Sequence, residues 1–294
     1  CIIIARYFGG NEQDNFQKSV QFSIILSIIT TVILTIASIL FLKPLLRLLN
    51  TPVDILDLSQ SYISVIMLFC CVTFAYNLLS SILRAIGNSY IPLYALIIAS
   101  VLNVILDIFF VKTLNMGVRG AAFATVIAQG FSALFLLIYI AKYCPLLHIN
   151  IRKFTINWTI LLELLTTGFS MAMMLVLTNI GTVILQGSIN SFGTATITGH
   201  TAARKFHDLC ILPLGTICTS SATFVSQNYG ARKKERIKQG VSASIFLGTI
   251  WSVLVLMIVL IAGRQLIYAL TGSTDAIVIG ISMKYLYWNV PFYA

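Results

Sequence analysis

Long apolar stretches separated by short polar ones run the length of the chain, and their size fixes the first inference. Residues 20–42, 58–83, 120–141, 164–199, 209–231 and 241–262 contain no Asp, Glu, Lys, Arg or His. Each meets the roughly 20 residues that a helix needs to cross about 30 Å of hydrocarbon. Their apolar positions do not alternate with period 2, as the strands of an outer-membrane barrel would. Only helices and closed barrels satisfy every backbone group in lipid, so the pattern predicts an all-α polytopic membrane protein with about eight transmembrane helices. We expect them over residues 17–42, 57–84, 91–113, 119–143, 159–189, 195–228, 235–263 and 275–294. Helix breakers fall between them: Pro44 and Pro52, Pro92 in "GNSYIP", Gly117 and Gly120, and "NSFG" at 190–193.

Composition agrees. Hydrophobic residues make up 58% of the chain and charged ones 10%, and the mean hydropathy of +0.94 excludes a soluble domain. The formal charge of +10 raises the question of nucleic acid, but five of the 19 cations lie in "ARKKERIKQG" between two apolar runs. That is the juxtamembrane place expected of a cytoplasmic loop, so the basicity reports topology and implies no nucleic-acid partner. One side of the membrane collects Arg6, Lys18, Arg84, Lys142, Arg152, Lys153 and those five (Arg232, Lys233, Lys234, Arg236 and Lys238); the other has Lys43, Arg47, Lys112, Arg119 and Arg264. The richer side is cytoplasmic, as in a multi-pass protein of a prokaryotic-type plasma (inner) membrane. The six cysteines show no C-x-x-C spacing and mostly lie within apolar runs, as small hydrophobes would, so neither a metal site nor a cofactor is expected.

The chain also repeats itself. "ARYFGGNEQDNFQKSVQFSIIL" (5–26) lies over "SQNYGARKKERIKQGVSASIFL" (226–247) at an offset of about 221 residues, and 42–55 parallels 263–276. If residue 226 answers to residue 5, helices are missing from both ends. The whole would then be two bundles of six, related by an axis along the membrane normal because six is even. The expected organisation is a first bundle over 1–143, beginning with the end of a second helix, a cytoplasmic linker over 144–158, and a second bundle over 159–294.

Two stretches carry a family resemblance. "LSSILRAIGNSYIPLYALIIASVLNVILDIFFVKTLNMGVRGAAFATVIAQ" (79–129) resembles the signature region of the multidrug and toxic compound extrusion (MATE) transporters. Its marks are an Arg–x–x–Gly turn, an Asn–x–x–x–Asp helix and a Gly–x–x–Gly–Ala–Ala–x–Ala–Thr start to the next helix. "INSFGTATITGHTAARKFHDLCILPLGTICTSSATFVSQNYGARK" (189–233) is similar to that family's eighth helix and following loop. The resemblance implies a fragment with helices three to ten of twelve. It further implies a cation-coupled secondary exporter that opens alternately to either side, acting on small amphiphilic or cationic molecules as a monomer in the bilayer. The driving ion would be H+ or Na+.

The chain's intramembrane polar residues suggest where such coupling happens. A charged side chain near the centre of a spanning helix costs roughly 2.5–3.5 kcal/mol on insertion scales, so Asp107 should face a partner or a wet cavity. Asn103, four residues earlier, shares its helix face, where the amide can donate to the carboxylate or help it to hold an ion. Water stripped from such a pocket favours the neutral carboxyl and returning water the ionised one, which suits a proton carrier. In the family this pair forms a cation site with a Thr of the next helix, matched here by Thr125, and an Asp of a first helix that these residues do not include. The bland alternative is that Asn103 and Asp107 only lock helices together, and that Thr125 bonds its own backbone.

In the second bundle, Arg204 and Asp208 are one turn apart and can pair, either at the border of a substrate cleft or as a self-satisfied pair at a wet helix end. Asn179 and Gln129 are further cleft candidates; Gln129, Gln186 and Asn190 suit interhelical hydrogen bonds better than ligand contact. Some family members use a Glu of helix seven for sodium, whereas the region around Thr178 and Asn179 has no acid, which favours protons. Phe69, Phe74, Tyr76 and Tyr94 are able to stack on a flat cation. A lipid-linked saccharide flippase of similar plan is the alternative, though it should line its cleft with more cations than Arg204, Lys205 and Lys284. An enzyme is not expected, because neither H-E-x-x-H nor G-x-S-x-G occurs.

Overall fold

The computed structural model describes residues 1–48, 53–147, 155–272 and 275–293. Pro52, Arg152 and Lys153 lie outside the described residues, as do much of the 144–158 linker and the side chain of Asn190. The described residues form ten α-helices and no strand. They are α1 Ile2–Gly9, α2 Gln13–Leu48, α3 Val53–Leu68, α4 Cys70–Ala85, α5 Tyr90–Asp107, α6 Gly117–Tyr143, α7 Trp158–Asn190, α8 Thr194–Gly230, α9 Lys234–Thr271 and α10 Ala276–Asn289. Six are long and apolar enough to cross a membrane, or seven spans if the bent pair α3 and α4 counts as one. The chain divides into two compact units, Cys1–Leu164 and Leu165–Ala294.

Three boundaries differ from the sequence reading. Pro44 lies inside α2 and does not stop it. The helix continues past the missing N–H to Leu48. The single helix expected over 57–84 is broken at Phe69 into α3 and α4, bent by 49°. A side chain from the neighbouring helix meets the break: the Thr35 hydroxyl on α2 donates to the Met67 carbonyl at 3.4 Å and lies 3.1 Å from Cys70 Sγ. Third, α9 runs past Gly263 to Thr271. Gly263 is a place of close approach, where a Cβ would come within 2.8 Å of Met283 Cε; the stop is Gly272, whose φ of 63° suits the left-handed cap.

In the first unit α5 and α6 meet through small residues. Ala95, Ala99, Ala122, Ala124 and Ala128 are buried, and Ser132 on α6 donates to the Ala95 carbonyl at 2.8 Å. Bulky apolar residues point the other way: Ile28, Ile33, Ile36 and Ile39 on α2 are more than half exposed. Oil outside and small residues inside is the arrangement of membrane helices, which gain nothing by hiding Leu from lipid. It also explains why the apolar runs read as helices without an amphipathic stripe.

The core of the second unit mixes small residues with bulky ones. Ala202, Ala203, Phe206 and Cys210 of α8 pack with Val255, Val259 and Ile267 of α9 and with Met283 and Leu286 of α10. At Gly199 the helices α8 and α10 approach until a Cβ would lie 2.9 Å from the Val278 carbonyl oxygen, and Ser282 donates to the Gly199 carbonyl at 2.8 Å.

The internal repeat holds at the level of single hydrogen bonds. Between α1 and α2, Gly10, Asn11 and Glu12 donate to the carbonyls of Arg6, Phe8 and Tyr7. Between α8 and α9, Ala231, Arg232 and Lys233 donate to those of Gln227, Tyr229 and Asn228, at the same offset. The middle residues, Asn11 and Arg232, take φ of 56° and 57°. Asn tolerates that left-handed conformation, whereas for most L-residues it costs roughly 1–2 kcal/mol.

Candidate functional site

The α5 helix ends at Asp107, and the chain continues as a π-helical turn over Ile108–Thr113. Wide turns of this kind occur often at functional sites. α6 lies close against this one: at Gly120 a Cβ would be 3.0 Å from Phe110 Cβ and 3.2 Å from its carbonyl carbon. The junction holds Asp107 half-buried, with Oδ1 out of contact with solvent and without a hydrogen-bond partner among the described residues. One turn back, Asn103 donates to the Thr125 hydroxyl on α6 at 3.4 Å, and Thr125 in turn donates to its own backbone at Ala121, 3.0 Å. The structure thus brings Asn103 and Thr125 together; the Asn103 amide is turned to Thr125, and the carboxylate oxygen next along the face stays unserved.

One turn further along α6, Gln129 accepts a short hydrogen bond from Thr73 of α4, a partner the sequence reading did not anticipate. An apolar groove of about 320 Å³ between α2, α4 and α6 is lined by Ile28, Thr31, Cys71, Phe74 and Leu137, among others. A second cavity, about 510 Å³, is lined by Lys43, Asp57, Gln60, Ser61, Ser64 and Arg119. Of the other aromatics, Phe69 meets Phe123 edge-on at 6.4 Å, Tyr76 packs beside Leu83 and Leu136, and Tyr94 is 55% exposed.

Also in the first unit, Arg6 near the end of α1 grips Glu163 in the first turns of α7 with two parallel bonds of 2.5 and 2.6 Å. The guanidinium stacks over Tyr7, 4.7 Å from the ring centre. Sequence reasoning used Arg6 for topology alone and passed over Glu163. The signal was there: Glu163 is the lone acid of α7, and an acid in an apolar helix asks for a partner just as Asp107 does.

In the second unit the expected pair is present, Arg204 to Asp208 at 3.2 Å, and Arg204 also reaches the Thr182 hydroxyl on α7 at 3.4 Å. Asp208 is exposed. Asn179 is exposed too and donates to the Leu175 carbonyl of its own helix at 2.7 Å. His200 is buried, its ring nitrogens without a hydrogen-bond partner among the described residues, edge-on to Tyr285 of α10 at 5.0 Å; His207 faces the same ring at 6.3 Å. Nothing in the sequence singled out Tyr285, because the contact joins helices 78 residues apart. Among the described residues no three metal-ligating side chains gather.

With this geometry in hand, relatives can be compared. The chain is 27% identical over 249 residues to the probable multidrug resistance protein YpnP of Bacillus subtilis, covering 85% of this chain and 55% of that protein. It is 22% identical over 273 residues to the probable multidrug resistance protein YoeA of the same organism, covering 90% and 59%. It therefore spans a little over half the length of these relatives. A crystal structure of MATE in the bent conformation superposes with a TM-score of 0.90 at 24% identity, covering 99% of this chain and 64% of that one, which establishes the shared fold. The family described as MatE matches residues 1–109 and 167–294, and on that span of agreement the chain belongs to the MatE family.

Proposed function

We propose that these residues are the central part of a proton-coupled secondary exporter of organic cations or amphiphiles, working by alternating access, and that Asp107 is the group that takes up and releases the proton. The observation that supports this most is the buried, unpartnered Oδ1 of Asp107. A buried acceptor without a partner costs about 1–3 kcal/mol, more when charged, and a purely structural residue at that place would be replaced at a gain in stability. A carboxyl that must change its protonation state needs an unfilled oxygen. Asn103 and Thr125 give it a polar wall, and the π turn directly after it gives that part of α5 a second backbone register to move to.

The relatives' names as multidrug resistance proteins support small-molecule export as the activity. Bundles at 1–143 and 159–294 are the moving parts in this reading. Na+ as coupling ion is less favoured, since the acid that α7 does carry, Glu163, is taken by Arg6. The flippase alternative lacks its cations: Arg204 is spent on Asp208 and Thr182, and Lys284 is exposed. The test is efflux of a fluorescent organic cation from proteoliposomes of the full-length protein under separately imposed gradients. Export driven by a proton gradient and not by a sodium gradient is expected; the converse would overturn proton coupling.

A further inference from the structure

The two repeat-related turns share a backbone but not a charge. Between α1 and α2 the turn carries Glu12 and Asp14 with Lys18, and Lys18 is paired to Asp14 at 2.7 Å. At the corresponding place between α8 and α9 stand Arg232, Lys233, Lys234, Arg236 and Lys238, all exposed. Glu235 answers Lys238 at 3.0 Å, and Arg236 lies over the Phe224 ring at 5.9 Å. Arg232, Lys233 and Lys234 have no ion pair among the described residues.

The fold does not require these cations, because the first turn makes the same three backbone bonds with acids in it. Orientation accounts for the side of the membrane on which they stand and does not fix what the exposed side chains meet there. Nor does local backbone preference put Arg at position 232, where φ is 57° and the sister turn uses Asn11.

We propose that the α8–α9 turn is a docking site for the headgroups of anionic phospholipids in the leaflet it faces, held by Arg232, Lys233, Lys234 and Arg236. Juxtamembrane cations are attracted to such a surface, each strengthening the interaction about fivefold, and the attraction is screened by salt. The site is apart from the coupling chemistry proposed for Asp107 and stands whether or not that proposal does.

The test places a photoreactive benzoylphenylalanine at Gln239, exposed beside the cluster, or at Gln13, exposed in the sister turn, of the full-length protein. The vesicles hold phosphatidylcholine mixed with phosphatidylglycerol. Capture of phosphatidylglycerol relative to phosphatidylcholine is expected to be at least about fivefold higher at Gln239 than at Gln13. It should fall severalfold in R232N/K233Q/K234Q, which keeps Arg236, and approach parity in high salt. Equal ratios at the two positions in the unmodified protein, or a ratio at Gln239 that salt and the triple substitution leave alone, would overturn the proposal. If the triple variant fails to insert, the salt dependence of the unmodified protein decides. A role in topology alone would change orientation and leave the lipid ratio untouched.

Discussion

Breaking the Arg6–Glu163 clamp makes a sharp prediction, because both partners are half-buried and bound in a bidentate manner. Their side chains are 29% and 30% exposed, and the two bonds measure 2.5 and 2.6 Å. Hydrogen bonds to charged groups contribute about 1.5–3 kcal/mol net, whereas exposed ion pairs give roughly 0.2–1 kcal/mol, so partial exposure places the coupling at about 1–2 kcal/mol. For a domain of about 150–250 residues each kcal/mol moves the melting temperature by roughly 2–4 °C, and for a longer chain by less. Arg6→Gln, Glu163→Gln and the double variant form a cycle, followed by thermal unfolding of the full-length protein in detergent. Each single change should lower the melting point, since it leaves the other charge half-buried without its counter-ion. The double change should cost little more than either, and the charge-swapped pair should recover part of the loss. Strictly additive losses would mean no coupling and would refute the reasoning.

Further outcomes can be checked in the same preparation. Gly199→Ala should destabilise by about 1–3 kcal/mol, less the up to ~1 kcal/mol that Ala gains in a helix, because its Cβ meets backbone oxygen at 2.9 Å. Gly181→Ala on α7, where a Cβ meets nothing within 4 Å, should instead be neutral or stabilising by thermal unfolding. Burial pushes the Cys144 thiol up from its ordinary value, so its thiolate is scarcer at neutral pH than that of a free cysteine. With Cys144 as the sole cysteine, maleimide labelling should lag a model thiol and catch up only as the pH rises through the raised value; equal rates at neutral pH would contradict this. A cysteine placed at Lys234 should resist impermeant thiol reagents in intact cells, and ready labelling would invert the orientation.

Much of the fold is legible in the sequence for one physical reason. Lipid accepts any apolar side chain, so spanning helices need no amphipathic stripe and announce themselves by length alone. What escaped was decided by neighbours. The bend at Phe69 lies where Thr35, 34 residues away and on another helix, offers a hydroxyl to the Met67 carbonyl. Pro44 misleads because proline can kink a helix without ending it, and α2 runs on to Leu48. Within the candidate site, a lone acid in oil is conspicuous, and the pairing of Arg204 with Asp208 follows from four-residue spacing. The π turn after Asp107, the bond from Thr73 to Gln129 and the ring of Tyr285 between two histidines have no local signature; each arises only when helices pack.

Asp107 is proposed to change protonation during transport, and replacing its carboxyl probes that role. Its most direct test is proton-driven efflux by full-length Asp107→Asn and Asp107→Glu proteins reconstituted at equal density. Asn should abolish proton-driven export while substrate still binds and the protein still inserts, and Glu should keep part of the activity. Undiminished export by the Asn protein would contradict it.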